Sequence, residues 1–203
     1  IEGAGGPVQT LCEVVGLYFG GAWSRAGTIL FSGGRRGAVL LRISETGGEV
    51  RQVTTHDRAR REASHRYPTF LPDGRHFLFS ESNPKSGGNV LVGDLASGER
   101  RVLIKGSLGG VYADGHILFA KGGLLVRQPF DINRMELSGE PTRVRDAVSI
   151  GPNANGALPF SAGGDVMAYR TGETSTARML MWMDRRGEVL RTLEESIESD
   201  FTP

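Results

Sequence analysis

Apolar residues recur along this chain in short alternating runs, each bounded by Gly, Asp, Asn or Ser. A period of two over four to eight residues predicts strands at 28–32, 39–43, 75–80, 90–95, 101–104, 116–120, 124–128, 166–170, 179–184 and 189–193. The inward positions of these runs predict a core of Leu30, Phe31, Phe77, Phe79, Leu91, Leu118, Phe119, Val126, Met167, Tyr169 and Met181. No window of helical length carries a sustained i, i+3, i+4, i+7 pattern with a cap. The nearest, HDRARREAS at 56–64, has almost no apolar face and reads as a solvated loop with at most one turn.

The runs repeat. WSRAGTILFS, FLPDGRHFLFS, YADGHILFA and FSAGGDVMAYR share one plan: an aromatic, a short polar turn ending in Gly27, Gly74, Gly115 or Gly164, then a strand closing on Phe31, Phe79, Phe119 or Tyr169. A second element follows each: Gly48-Glu49, Gly98-Glu99, Gly139-Glu140 and Gly187-Glu188 each join one strand to another. Two signatures in fixed order, four times, at a period of roughly 40 to 50 residues, define a four-stranded unit. The carboxylate and histidine of Pro72-Asp73-Gly74-Arg75-His76 are therefore read as parts of a hairpin turn, where Gly supplies a positive φ and Asp tolerates one. One small sheet cannot bury both of its faces, but sheets stacked radially can. The expected fold is all-β, a β-propeller of four-stranded antiparallel blades, with about four units and partial strands at both ends. The units are expected at 20–54, 66–105, 110–148 and 157–193. Residues 7–15 are expected to form the outer strand of a preceding blade, and 198–203 the start of a fifth, as in a fragment of a larger propeller.

Composition changes this picture little. The chain has 203 residues, enough for a real core, and a net charge of +1, which gives no global basic field to attract nucleic acid or a membrane surface. No apolar run is long enough to cross a bilayer, and the first residues carry no signal-peptide pattern. The single cysteine, Cys12, allows no internal disulfide. Thirty glycines, mostly paired between apolar runs, fit many tight turns.

Five stretches carry a family likeness: GGAWSRAGTILFSGG with the following TGGEVRQVT, SHRYPTFLPDGRHFLFS, LLVRQPFDINRMELSGEP and MLMWMDRRGEVLRTL. They resemble the TolB-like, WD40-like (PD40) propeller repeats, and more closely the C-terminal propeller of bacterial serine/threonine protein kinases. The likeness covers essentially the whole chain. It implies an upstream kinase domain joined through a membrane-spanning segment, and an extracytoplasmic or periplasmic propeller that senses or binds a ligand. The turns depart from the family's Pro-Asp-Gly at Arg25-Ala26-Gly27, Ala113-Asp114-Gly115 and Ala162-Gly163-Gly164, so no turn residue is under a common chemical demand.

No catalytic constellation is legible. These 203 residues hold no kinase catalytic or DFG motif. Gly106-Ser107-Leu108-Gly109-Gly110 has its serine one place too early for a nucleophile elbow, with no helix to follow. His56, His65, His76 and His116 lack metal-ligand spacing; His76 and His116 are expected at solvent or a blade edge, and no metal or cofactor is called for. Gly33-Gly34-Arg35-Arg36-Gly37 reads as an exposed hairpin loop rather than an anion site. Trp23 and Trp182 are expected to pack between blades. The distinctive insertion is the basic segment 56–66, on a connection between units, with Arg58, Arg60, Arg61, His65 and Arg66; a second connection, 151–156, offers Asn153 and Asn155. These seven are the candidate binding residues, because longer connections vary without disturbing a blade and the arginine fork suits carboxylate or phosphate. The expected function is a non-catalytic protein- or ligand-binding sensor module of a larger bacterial protein. Its partner would be a protein, a peptide or a small anion. The alternatives are a TolB-like periplasmic envelope component and the accessory propeller of a serine peptidase.

Overall fold

The structure is a computed structural model that describes residues 8–16, 18–34, 37–83, 88–122, 124–145, 158, 160–163, 166–169, 180–183 and 188–193. Seventeen strands and no helix occur among them. Blade 1 holds β1 (Gly21–Trp23), β2 (Thr28–Gly33), β3 (Val39–Ser44) and β4 (Arg51–Gln52), and blade 2 holds β5 (Ser64–Phe70), β6 (His76–Ser82), β7 (Asn89–Asp94) and β8 (Arg100–Lys105). Each is an antiparallel meander in sequence order. Blade 3 holds β9 (Gly110–Ala113), β10 (His116–Lys121) and β11 (Leu124–Asp131), with its outer edge divided between β12 (Glu136–Leu137) and β13 (Thr142–Arg145). Two hairpins lie side by side beyond it: β14 (Phe160–Gly163) with β15 (Val166–Tyr169), and β16 (Leu180–Met183) with β17 (Val189–Leu193). The first strands are innermost, β1 beside β5, β5 beside β9, and β9 beside β14.

The alternation within each second strand makes the two faces of a blade unlike. Phe77, Phe79 and Leu91 of blade 2 pack on Leu30 and Leu40 of blade 1. Leu78, Val90 and Val92, on the opposite face, meet Ile117, Phe119, Val126 and Phe130 of blade 3. Val111, Leu118 and Leu125 then meet Phe160 and Met167. Each interface thus sets an aromatic-bearing face against an aliphatic one. Nine of the eleven expected core residues lie in or against these clusters, with Tyr169 partly buried; Phe31 is buried on the other face of blade 1, and the side chain of Met181 lies outside the description.

Trp23 does not pack between blades. It is 60% exposed, on the face of blade 1 turned away from blade 2, and its indole N–H donates to Glu45 Oε2 at 2.8 Å. The side chain of Trp182 lies outside the description. Residues 8–15 carry no strand. They run across that same face of blade 1 to a parallel bridge between Gly16 and Gly34, leaving a cleft of about 460 Å³ lined by Leu11, Val14, Tyr18, Trp23 and Ile29.

The turns confirm the hairpin reading. Gly74 has φ +67°. Asp73 Oδ1 accepts the N–H groups of Arg75 at 3.0 Å and His76 at 2.9 Å, and its other oxygen meets the His76 ring. Arg75 grips Asp94 through two nitrogens and holds that carboxyl far below its usual range, which ties the β5–β6 turn to the end of β7. Both titratable pairs serve the turn.

Candidate functional site

The meander fixes two rims. The β1–β2, β3–β4, β5–β6, β7–β8 and β9–β10 turns lie at one end, here the lower rim. The connections from an outer strand to the next inner strand, 53–63 and 106–109, lie at the other, the upper rim. Contacts along each rim agree: Asn83 Nδ2 donates to the Arg60 carbonyl, and Gly106 N–H to the Gly88 carbonyl, on the upper. The Leu95 N–H donates to the Arg75 carbonyl on the lower.

The upper connection 53–63 is built, not solvated. Asp57 Oδ1 accepts from the N–H of Ala59 at 2.9 Å and of Arg60 at 3.3 Å, the local turn that aspartate favours. The Arg61 N–H reaches the Arg58 carbonyl at 3.1 Å, and the Glu62 N–H the Asp57 carbonyl at 3.2 Å. Arg61 takes φ +56°, a region that favours glycine over any residue with a Cβ. The Glu62 side chain is 0% exposed, and its Oε2 receives the Asp57 N–H at 2.7 Å and Arg100 Nη2 at 3.1 Å, with His65 Nε2 at 3.0 Å. Arg60 turns inward to Glu81 Oε2 at 2.9 Å, and Asn89 donates to the other Glu81 oxygen. His65 is fully buried, edge-on to Phe79, with Nδ1 2.7 Å from Thr54 Oγ1.

Burial pushes the His65 imidazole down to about 4 against the pull of Glu62, so the ring is neutral at pH 7. Burial also works to raise both carboxyls. At Glu62 it is outweighed by the Asp57 N–H, then Glu81, His65 and Arg100, and the net shift is downward. At Glu81 burial and the adjacent Glu62 win over Asn89 and Arg60, and the net shift is upward. Glu62 Oε1 is buried with no hydrogen-bond donor among the described groups. Two arginines and two carboxylates thus fasten the connection to blade 2, an arrangement in which each buried charge keeps a partner.

The seven candidate residues separate accordingly. Arg58 and Arg61 are exposed on the upper rim, and Arg60 points into the network. His65 belongs to β5, not to a loop, and is sealed from solvent because it shares the blade face of Phe79. Arg66, also in β5, stacks 3.9 Å above the Phe19 ring and donates to Ser64 Oγ, a packing role. Asn153 and Asn155, like Arg35 and Arg36, lie outside the described residues. Sequence reasoning missed Glu81 and Arg100. A signal existed for the first: Glu81 follows Phe77 and Phe79 on the core-facing register, where a carboxylate needs a buried partner. Arg100 gave none, since it starts an edge strand and reaches its partners only across the blade face.

Ser107 is buried with Oγ donating to the Ala120 carbonyl at 2.9 Å, a structural bond. Among the described residues no group of three His, Cys, Asp or Glu is placed to hold a metal ion, and no helix is long and apolar enough to cross a membrane.

No family model matches the chain, and no curated protein matches it in sequence. Solved structures do. The nidogen/laminin complex gives a TM-score of 0.68 at 12% identity, over 94% of this chain and 69% of that one. TolB from Acinetobacter baumannii gives 0.64 at 19%, over 89% of this chain and 44% of that one. A structure from a mechanistic study of two prolyl endopeptidases gives 0.56 at 11%, over 88% of this chain but 28% of that one. The chain spans less than half of this TolB. At these identities the likeness is one of fold, and with the four-stranded antiparallel sheets it shows that this chain has the β-propeller fold.

Proposed function

We propose that this chain is a non-catalytic binding module of a larger bacterial protein, the C-terminal propeller of a serine/threonine protein kinase, with a protein as its partner. One observation carries the binding reading. The ionisable groups gathered on the connection between blades 1 and 2 are spent on fastening it to blade 2, while the same connection turns Arg58 and Arg61 outward on a rigid turn. Fold likeness to TolB and to a protein held in a nidogen/laminin complex supports a binding role. The kinase context rests on the sequence resemblance alone.

A photo-crosslinking residue at Arg61 is expected to capture a discrete protein in cells, and the same residue at Ser97 on the lower rim is not. Turnover of peptide or ester substrates that a point mutation in this chain abolishes would refute the reading. The reading frame before Ile1 separates the contexts: kinase motifs support the kinase, and a signal peptide without them supports a TolB-like envelope component, which the TolB likeness favours as second reading.

A further inference from the structure

We propose that the partner's contact with the upper rim is an acidic stretch of polypeptide lying across the upper end of blade 2. The proposal rests on the binding-module reading and gives the partner its chemistry. Arg58 and Arg61 are exposed and have no ion-pair partner among the described residues. Their turn is held from within by Glu62, by the Arg60–Glu81 pair and by Asn83, so little freedom is lost when a ligand meets them. Arg61 keeps a left-handed backbone that glycine would adopt at less cost, yet its side chain points to solvent.

Two further cations extend the row. Glu81 is opposite Asn89, and Asn89 opposite Lys105, so Lys105 stands two strands beyond the Arg60 anchor, roughly 10 Å outward at the usual strand spacing. Lys105 and Lys121, both exposed, border a cleft of about 330 Å³ at the boundary of blades 2 and 3, whose one acidic lining residue is Glu140. Cations spread over such a distance match carboxylates repeated along an extended segment, which advances about 3.3 Å per residue, better than one compact anion.

The lower rim is of opposite character. Glu45, Glu49, Asp73, Glu99 and Asp114 lie in its turns; of the bases in the turns of this rim, Arg75 pairs with Asp94 and Arg134, between β11 and β12, with Glu136, and Arg25 is the third. A strand's length separates the rims, more than the screening length of about 8 Å at physiological salt, so an acidic partner feels each rim separately and is turned away from the lower.

Fluorescence anisotropy with labelled oligo-glutamate, a neutral Gly/Ser peptide and an oligo-thymidylate tests this, at about 50 mM and about 300 mM salt. Oligo-glutamate is expected to bind, more weakly at the higher salt. Arg58→Ala with Arg61→Gly should lower its affinity at least about tenfold, the scale of one or two lost charge-assisted contacts. Lys105→Ala should lower it less, and Arg25→Ala on the lower rim should not lower it. Arg61→Gly should hold or raise Tm, since it relieves the left-handed backbone. A lowered Tm would make Arg61 structural and overturn the proposal. Oligo-thymidylate bound as tightly as oligo-glutamate would overturn it in favour of nucleic acid. Failure to bind oligo-glutamate, or binding indifferent to Arg58 and Arg61, would overturn it too, while capture through position 61 would leave the binding-module reading standing.

Discussion

Residues 53–63 and 106–109 do the same topological work, each carrying the chain from the outer strand of one blade to the inner strand of the next. The short connection is neutral. Gly106 and Gly109 give their N–H groups to the Gly88 carbonyl and Ser80 Oγ, and Ser107 binds the Ala120 carbonyl. The long one buries Glu62 and engages Arg60, Arg100 and His65. Residues 106–109 show how little chain the fold needs here. The added length of 53–63 is therefore free for other work, and its buried charges fix where that length lies more than they strengthen the protein.

The largest expected effect falls on the long connection. Glu62→Ala leaves Arg100 unpaired in the blade interface and is expected to cost about 3–5 kcal/mol in denaturant unfolding. A loss no larger than that of a surface residue would mean the network is open to water.

Acid should separate the two connections next. His65 is held at about 4 from an ordinary 6.5. As pH falls below 6.5 the unfolded chain takes up a proton that the folded chain refuses until about 4, so the stability from His65 is full above 6.5 and lost on the way down, roughly 2–4 kcal/mol. Glu62, lowered, loses its contribution as pH falls through its folded pKa, whereas Glu81, raised, contributes below its unfolded value and loses that as pH rises. Urea melts between about pH 7.5 and pH 4.5 should show the decline, and His65→Gln should flatten it. An unchanged slope in that variant would put the titration elsewhere.

On the short connection, Gly109 has φ +86° and a Cβ there would meet Leu158, so Gly109→Ala is expected to cost about 1–2 kcal/mol with no change in pH slope. Ser107→Ala, losing one neutral bond, should cost about 1 kcal/mol by thermal melts.

What was legible in the sequence follows from the same physics. The second and third strands of blades 1 to 3 bury apolar residues on both faces and wrote themselves as apolar runs; 39–43 and 116–120 match β3 and β10 to within a residue. The innermost strands did not. In β5, SHRYPTF, polar residues and a proline hide the strand, and its register shifts between Arg66 and Thr69, with Tyr67 at φ +52° giving its N–H to the Phe19 carbonyl. That strand was missed at its start, and so the basic segment read as a loop. Charge could be counted from the sequence, but its sorting could not: Arg58, Arg60 and Arg61 are alike in one dimension, and only the turn at Asp57 and the neighbours Glu81 and Asn83 send the middle one inward.

The unlike faces of the blades give the array a direction. An aromatic face meets an aliphatic one at each described interface, and two like faces brought together would set Phe77 and Phe79 against aromatic rings or leave aliphatic surfaces loosely filled. Stacking is therefore vectorial. A duplicated copy of residues 64–109, spliced in after Gly109, would offer each neighbour the kind of surface it already meets, whereas the same sheet turned end for end would not. Blades of this design can be counted up or down by gene duplication without inventing a new interface, and the order in which they appear is written in every second strand.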